Sequence, residues 1–319
     1  MEQETKSKRR RHERIKESPR VVLNERDKAI FSLLNPRFRF KYLTTSAIAF
    51  FVQADNPWKL DVLKRRLRQL YDTGYLDRPE KQRHSPNSNY KDLVYERTDK
   101  AARLVDGYPG ASHRSQSYPH EFLTDLGFYA PLHVAAKERG WTLTDAEALL
   151  NGAAFKVHTK EGIKSVGFPS KLRESDDPFL IDERGMRMRL DGTPILIDRG
   201  HDLTFIPGIE VDRSTEPLQS KKELRHTTLT KHIDDIMKFR EHKLCQRHYG
   251  FTSFFVPIIC VNETHTKNAM AYLQEKHGPS KQVLFKTVPD LAYAESSPKI
   301  SSEVILSPWK RVGHDDFLF

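Results

Sequence analysis

Apolar side chains recur at helical spacing over much of the first hundred residues. From Asn24, a good N-cap residue, Ala29, Ile30, Leu33 and Leu34 share one face until Pro36 ends the run. A second helix is expected through Ile48 and Phe51 with Thr44 or Thr45 as its cap, and Asn56-Pro57 punctuates the chain before a third, from about Trp58 to Asp72. In the third, Leu60, Leu63, Leu67 and Leu70 are spaced by threes and fours and predict a buried stripe, whereas Lys59, Lys64, Arg65, Arg66 and Arg68 cover the opposite face. Gly74 stands where a left-handed C-cap belongs. Tyr75-Leu-Asp-Arg and Asp92-Leu-Val-Tyr-Glu read as strands flanking a polar loop, residues 79–91, and Thr98 opens another helix.

A turn-rich stretch, residues 107–119, separates this region from a second pattern. A helix is expected from His120 to Gly140, marked by Phe122, Leu123, Leu126, Phe128, Leu132 and Ala135, then a short helix from Thr144 to Leu150. Three strands follow, around 186–190, 193–198 and 203–212. A helix over 228–242, an apolar strand over 254–261, a helix over 266–276 and a strand over 283–287 complete the order. The expected class is therefore α+β or α/β, with a basic disordered arm over 1–20, a helical domain with a strand hairpin over 21–106, a linker over 107–119 and an α/β domain over 120–319.

Composition narrows the choice of partner. Of 319 residues, 37 % are apolar and 30 % charged, polar for a folded chain, yet 18 Phe, 11 Tyr and 3 Trp supply core-forming side chains. The longest uncharged apolar stretch, Phe251 to Asn262, falls far short of the roughly 20 residues that span a bilayer, and residues 1–20 hold no hydrophobic run. Neither a membrane span nor a secretory signal is expected. Two cysteines, Cys245 and Cys260, are too few for a disulfide framework, which suits a cytoplasmic location.

The net charge of +10 is unevenly placed: residues 1–105 carry +11 and residues 106–319 carry −1. A basic module joined to a neutral one points to a polyanionic partner, and double-stranded DNA is the expectation. The arm, with Lys6, Lys8, Arg9, Arg10, Arg11, Arg14, Lys16 and Arg20, has almost nothing to bury and would add nonspecific phosphate contacts.

Three helices followed by a hairpin is the order of a winged helix-turn-helix, in which one helix enters the major groove and the hairpin lies along the backbone. Candidate DNA contacts are Lys59, Lys64, Arg65, Arg66 and Arg68 on the third helix and Lys81 and Arg83 in the loop between the strands. Gln69 is the main candidate for reading a base edge.

In the second region the acids draw attention. Asp191 ends one expected strand; Glu210 and Asp212, two apart on another, point to the same sheet face. Carboxylates converging at strand ends suit a hard divalent cation, Mg²⁺ or Mn²⁺, which activates water or stabilises a phosphodiester leaving group. Lys231 on the following helix would add a positive charge. The alternative reading makes Asp191 a turn residue and Glu210 or Asp212 a solvated or Arg213-paired acid. His226 and His232 read as surface or helix-cap histidines. No phosphate-binding Gly-x-x-x-x-Gly-Lys-Ser/Thr loop, His-Glu-x-x-His pair or Cys-x-x-Cys pair occurs.

Five stretches carry a resemblance: Phe40-Lys-Tyr-Leu-Thr-Thr-Ser, Arg65-Arg-Leu-Arg-Gln-Leu-Tyr-Asp-Thr-Gly-Tyr-Leu-Asp-Arg, Gly208-Ile-Glu-Val-Asp-Arg-Ser-Thr-Glu-Pro, Leu229-Thr-Lys-His-Ile, and Ser307-Pro-Trp-Lys-Arg-Val-Gly. Together they resemble the plasmid replication-relaxation family. The resemblance implies a winged helix fused to a restriction-endonuclease-like domain, a home on plasmids or other mobile elements, and replication or mobilisation proteins as partners. It also implies that Asp191, Glu210, Asp212 and Lys231 occupy the nuclease-like positions, and that Asp212 stands where an active nuclease of this kind carries its catalytic lysine. A DNA-binding role in replication, DNA relaxation or mobilisation follows as the expectation, with a metal-dependent DNA nickase as the alternative.

Overall fold

The computed structural model describes residues 13–15, 20–35, 39–53, 60–79, 92–107, 120–144, 155–159, 162–166, 180–181, 187–188, 190–200, 202–212, 228–243, 245–246, 251–292 and 300–319. The protein is of mixed α+β class and forms two compact units that part between Tyr118 and Pro119.

The first unit opens with α1, Glu25–Leu33, and its start is doubly fixed. The Asn24 side chain accepts from the Asp27 N–H at 3.1 Å while the Asp27 carboxylate accepts from the Asn24 N–H at 2.9 Å, a reciprocal box that satisfies two otherwise unpaired donors. A two-residue strand, β1 (Leu43–Thr44), runs directly into α2 (Thr45–Gln53), with the Thr44 hydroxyl accepting from the Ala47 N–H at 3.1 Å as the cap. α3 spans Leu60–Asp72 and ends at Gly74, whose φ of +78° gives the left-handed turn that lets the Tyr75 N–H reach back to the Leu70 carbonyl at 2.9 Å. β2 (Leu76–Asp77) and β3 (Val94–Arg97) follow, then α4 (Asp99–Asp106). β3 is the central strand of three, antiparallel to both β1 and β2.

Leu63, Leu67 and Leu70 are fully buried on α3 together with Ile30, Phe31 and Leu34 around α1 and Tyr42, Ile48 and Leu76. Leu60, expected in the same stripe, is 40 % exposed instead. It is the first residue of the helix, where the stripe has not yet come under its neighbours.

In the second unit, α5 runs through His120–Thr124, a π-helical stretch at Asp125–Tyr129, and Ala130–Arg139. The short helix expected from Thr144 is corrected at its start: Thr142–Thr144 is a strand, β4, because it pairs antiparallel with Leu196–Asp198, and residues 145–150 lie outside the described residues. Two hairpins follow, β5 (Phe155–Thr159) with β6 (Gly162–Val166) and β7 (Leu180–Ile181) with β8 (Arg187–Met188). β9 (Ile195–Asp198) sits between β4 and β10 (Leu203–Ile206), antiparallel to both.

A five-stranded sheet holds the rest, in the order β11 (Glu210–Asp212), β12 (Val256–Cys260), β13 (Ser280–Thr287), β14 (Trp309–Val312) and β15 (His314–Phe317). The first three are parallel to one another and the last two antiparallel. Between β11 and β12 runs α6 (Leu229–Glu241), and between β12 and β13 runs α7 (Glu263–His277), as parallel strands require. Ile233, Ile236, Met237 and Phe239 of α6 and Ala269 and Leu273 of α7 cover Val256, Ile258, Cys260, Val283 and Phe285. The final hairpin, β14–β15, carries no expected element. Trp309 is fully buried there, edge-on to Phe128 and Phe319, so its role is packing.

Candidate functional site

In the first unit the question is which cations of α3 face outward. Lys64 and Arg65 do: both are exposed, Lys64 lies 3.9 Å from Asp61 one turn back, and the Arg65 Nε donates to the Asp61 carbonyl at 3.4 Å. Gln69, one turn further, is exposed too, and its Oε1 accepts from Arg66 Nη1 at 3.2 Å.

Arg66 and Arg68 are not part of that outward set. Arg66 turns toward the start of α1, where its Nε meets an Asp27 oxygen at 2.9 Å, its Nη2 meets the other, and Nη2 also donates to the Val22 carbonyl at 2.7 Å. The Asp27 side chain is fully buried, and that hydrogen bond raises the Arg66 pKa further despite the opposing effect of burial. Arg68 pairs with the buried carboxylate of Asp72 at 3.2 Å, lies 5.5 Å from the centre of the Tyr71 ring and donates to the Glu13 carbonyl. Two of the helix's expected contact residues are thus engaged within the first unit, by acids on α1 and on the helix's own last turn. Lys59, Lys81 and Arg83 lie outside the described residues.

The arm is partly held as well. Arg14 Nη2 donates to the Leu76 carbonyl at 3.1 Å and lies 3.0 Å from Asp77, its guanidinium stands 4.8 Å over the Tyr71 ring, and the Ile15 N–H reaches Asp72 at 3.4 Å. The arm, expected to be disordered, is held against the first unit at residues 13–15, and most of the rest of it lies outside the described residues.

In the second unit the acids gather around β11. Asp191 forms a two-way antiparallel bridge with Ile209, at 2.8 and 3.0 Å, and its Oδ2 accepts from the Val211 N–H at 3.3 Å. Two glycines make this approach possible. A Cβ on Gly208 would come within 2.6 Å of the Leu190 side chain and 3.0 Å of the Asp191 carbonyl. One on Gly192, at φ +74°, would enter the Tyr129 ring at 2.3 Å. The Tyr129 hydroxyl locks the same turn, accepting from the Thr193 N–H at 3.0 Å and donating to its carbonyl at 2.6 Å.

Glu210 and Asp212 both point to the helix-covered face, 6 % and 7 % exposed. Each meets an imidazole from a different helix: Glu210 Oε2 lies 2.9 Å from Nδ1 of His232 on α6, and Asp212 Oδ2 lies 2.7 Å from Nδ1 of His265 on α7. Burial works against the charged form of His232, but the hydrogen bond to Glu210 and the charges of Glu210, Asp191 and Asp235 outweigh it and raise its pKa. The Cys260 thiol, opposite Asp212 on β12, is pushed up to about 12 by burial and by the Asp212 charge. Both histidines are partly exposed, and each meets its acid through Nδ1.

Lys231 is exposed, and its backbone N–H is taken by the Thr228 cap at 3.3 Å; the next residue, His232, is the one that reaches the acid. The surface reading of His232 is corrected accordingly, and His226 lies outside the described residues. His265 was missed. The only signal for it was its place three residues after Asn262, the N-cap of a helix that begins just beyond β12. Among the described residues no group of three or more His, Cys, Asp or Glu stands close enough to hold a metal ion. Also among the described residues, no helix is long and apolar enough to cross a membrane. Compared with known proteins, the chain matches no protein-family model, and no curated protein and no solved structure is significantly similar to it.

Proposed function

We propose that this protein binds duplex DNA through a winged helix in its first unit and serves a plasmid or other mobile element in replication, DNA relaxation or mobilisation, in the cytoplasm beside its DNA. The observation that carries the reading is the outward face of α3: Lys64, Arg65 and Gln69 stand exposed on one helix within the order helix, short strand, helix, helix, hairpin. Winged helix-turn-helix domains share that order, and a helix so placed fits the major groove. The excess of positive charge over residues 1–105 supports it. The test is fluorescence anisotropy of a labelled duplex over a range of salt. Replacing Lys64 and Arg65 together by Ala should weaken binding and reduce the salt slope by up to about 0.9 per lost contact. An unchanged slope in the folded double variant would overturn the assignment of α3.

A second reading, a metal-dependent nickase built on a restriction-endonuclease-like domain, draws support from one observation. Asp191, Glu210 and Asp212 are assembled at adjoining backbone positions, two of them buried, beside a mixed sheet flanked by α6 and α7. Mg²⁺ or Mn²⁺ there would supply Lewis-acid stabilisation of a phosphodiester leaving group. The described carboxylates do not by themselves form a set close enough to hold such an ion, Glu210 and Asp212 face histidines, and the family resemblance puts Asp212 where a lysine would position water. Incubation with supercoiled plasmid in Mg²⁺, Mn²⁺ or EDTA separates the readings: open circles formed only with metal, and lost in Glu210→Gln, would establish the nickase.

A further inference from the structure

Arg66 and Gln69 stand one turn apart on α3, and the bond between them fixes which way the glutamine amide faces. Arg66 Nη1 donates to Gln69 Oε1 at 3.2 Å. A guanidinium carries N–H donors and no acceptor, so the oxygen of the amide, and never its NH2 group, turns to it. Arg66 is held in turn from the other side. Its Nε donates to Asp27 at 2.9 Å, and its Nη2 donates both to the other Asp27 oxygen and, at 2.7 Å, to the Val22 carbonyl. Asp27 is fully buried and belongs to the capping box of α1. A core acid thus holds an arginine, and the arginine holds a surface glutamine by its oxygen. The exposed Gln69 side chain is left to offer its Nε2 hydrogens.

Base edges in the major groove differ in the groups they present. Guanine shows the acceptors N7 and O6, adenine the N7 acceptor and the N6 amino donor, thymine the O4 acceptor and cytosine the N4 donor. A glutamine with both ends of its amide free pairs with adenine, Oε1 to the amino group and Nε2 to N7. On α3 that pairing would bring the adenine amino group to an oxygen already shared with a guanidinium, so that a second donor stands beside a full positive charge. Guanine needs no such sharing: Nε2 donates to its acceptors, and the Arg66 charge alongside attracts the same atoms. Gln69 also lies one turn beyond the exposed Arg65, so the two side chains meet the same stretch of groove. We propose that Gln69, oriented by Arg66, is a specificity-determining residue that reads guanine in preference to adenine in the major groove. The proposal rests on the DNA-binding reading above and names the base that α3 selects, with Arg66 as the positioning residue.

The test is selection from a pool of random duplexes, sequenced after capture by the full chain, by Gln69→Ala and by Arg66→Lys. The parent should show a position where guanine exceeds adenine about fivefold or more, and Gln69→Ala should lose the preference at that position alone. Arg66→Lys keeps a cation for Asp27 but lacks the second arm that holds Gln69, so adenine should rise there to within about twofold of guanine. A further measurement uses the parent chain only. Unsubstituted purine at that position keeps N7 and lacks the amino donor, and the parent should bind it at least as well as adenine; a glutamine with a free amide gives the opposite order. Adenine ahead of guanine, adenine ahead of purine, a profile unchanged by Gln69→Ala, or a full guanine preference in folded Arg66→Lys would each overturn the proposal. A parent chain that binds duplex with no preference at any position would overturn it too and leave the DNA-binding reading standing. No binding by any of the chains, the parent included, would instead strike at that reading and take the proposal with it.

Discussion

The two charged regions of this protein are built in opposite ways. On α3 the charge begins on a surface, and the fold withdraws part of it: Arg66 and Arg68 are drawn to Asp27 and Asp72 while Lys64 and Arg65 stay in solvent. Around β11 the charge begins inside, and the fold brings histidines to it from two helices. A run of like charge on a helix therefore divides by what lies opposite each residue. A pair of acids two apart on a strand stays together, because strand geometry gives both the same neighbours.

The contrast breaks most visibly at Asp27. Asp27→Ala leaves the Arg66 guanidinium without its buried counter-charge and removes half of the α1 capping box. It should therefore lower unfolding free energy by about 3 kcal/mol, read by urea denaturation. A loss below about 1 kcal/mol would return Arg66 to the surface set.

At β11, Asp212→Ala should cost about 1–3 kcal/mol, since it removes the partner of His265 and opens space beside Cys260. The same urea measurement should show this loss smaller than that of Asp27→Ala.

A pH titration sharpens the comparison further. The folded-state pKa of His232 lies above its unfolded value near 6.5, so the Glu210–His232 pair contributes stability that is fully present below that value and is lost as pH rises through the raised one. Thermal melts across this window should show that loss in the parent and a flatter profile in His232→Gln. A parallel decline in both would remove the pair from the account.

The smallest effect belongs to the outward cations. Lys64→Ala should leave stability within about 0.5 kcal/mol of the parent in the same denaturation series, while changing DNA affinity.

The sequence made the boundaries of most helices legible because their caps are local. Asn24, Thr44, Gly74 and Gly140 each act within a few residues of the element they start or end. The fate of Arg66 was not legible, since Asp27 lies 39 residues away in the chain and only the packing of α1 against α3 brings them together. The same holds for β4, whose partner strand begins more than fifty residues later, so a helical pattern starting at Thr144 had no visible competitor. For the acids, strand periodicity showed that Glu210 and Asp212 share a face. Their histidines come from elements after them in sequence and answer to no local pattern.

One break in the backbone ties the second unit together. β10 and β11 are a single path of chain interrupted at Pro207 and Gly208, with β10 paired to β9 on one side of the break and β11 to β12 on the other. The Phe255 N–H bonds to the Phe205 carbonyl at 2.9 Å across the junction. Amide protons of both sheets should therefore exchange with solvent through a shared opening: Ile197 on β9 and Ile258 on β12, in different sheets, would be protected to nearly the same degree.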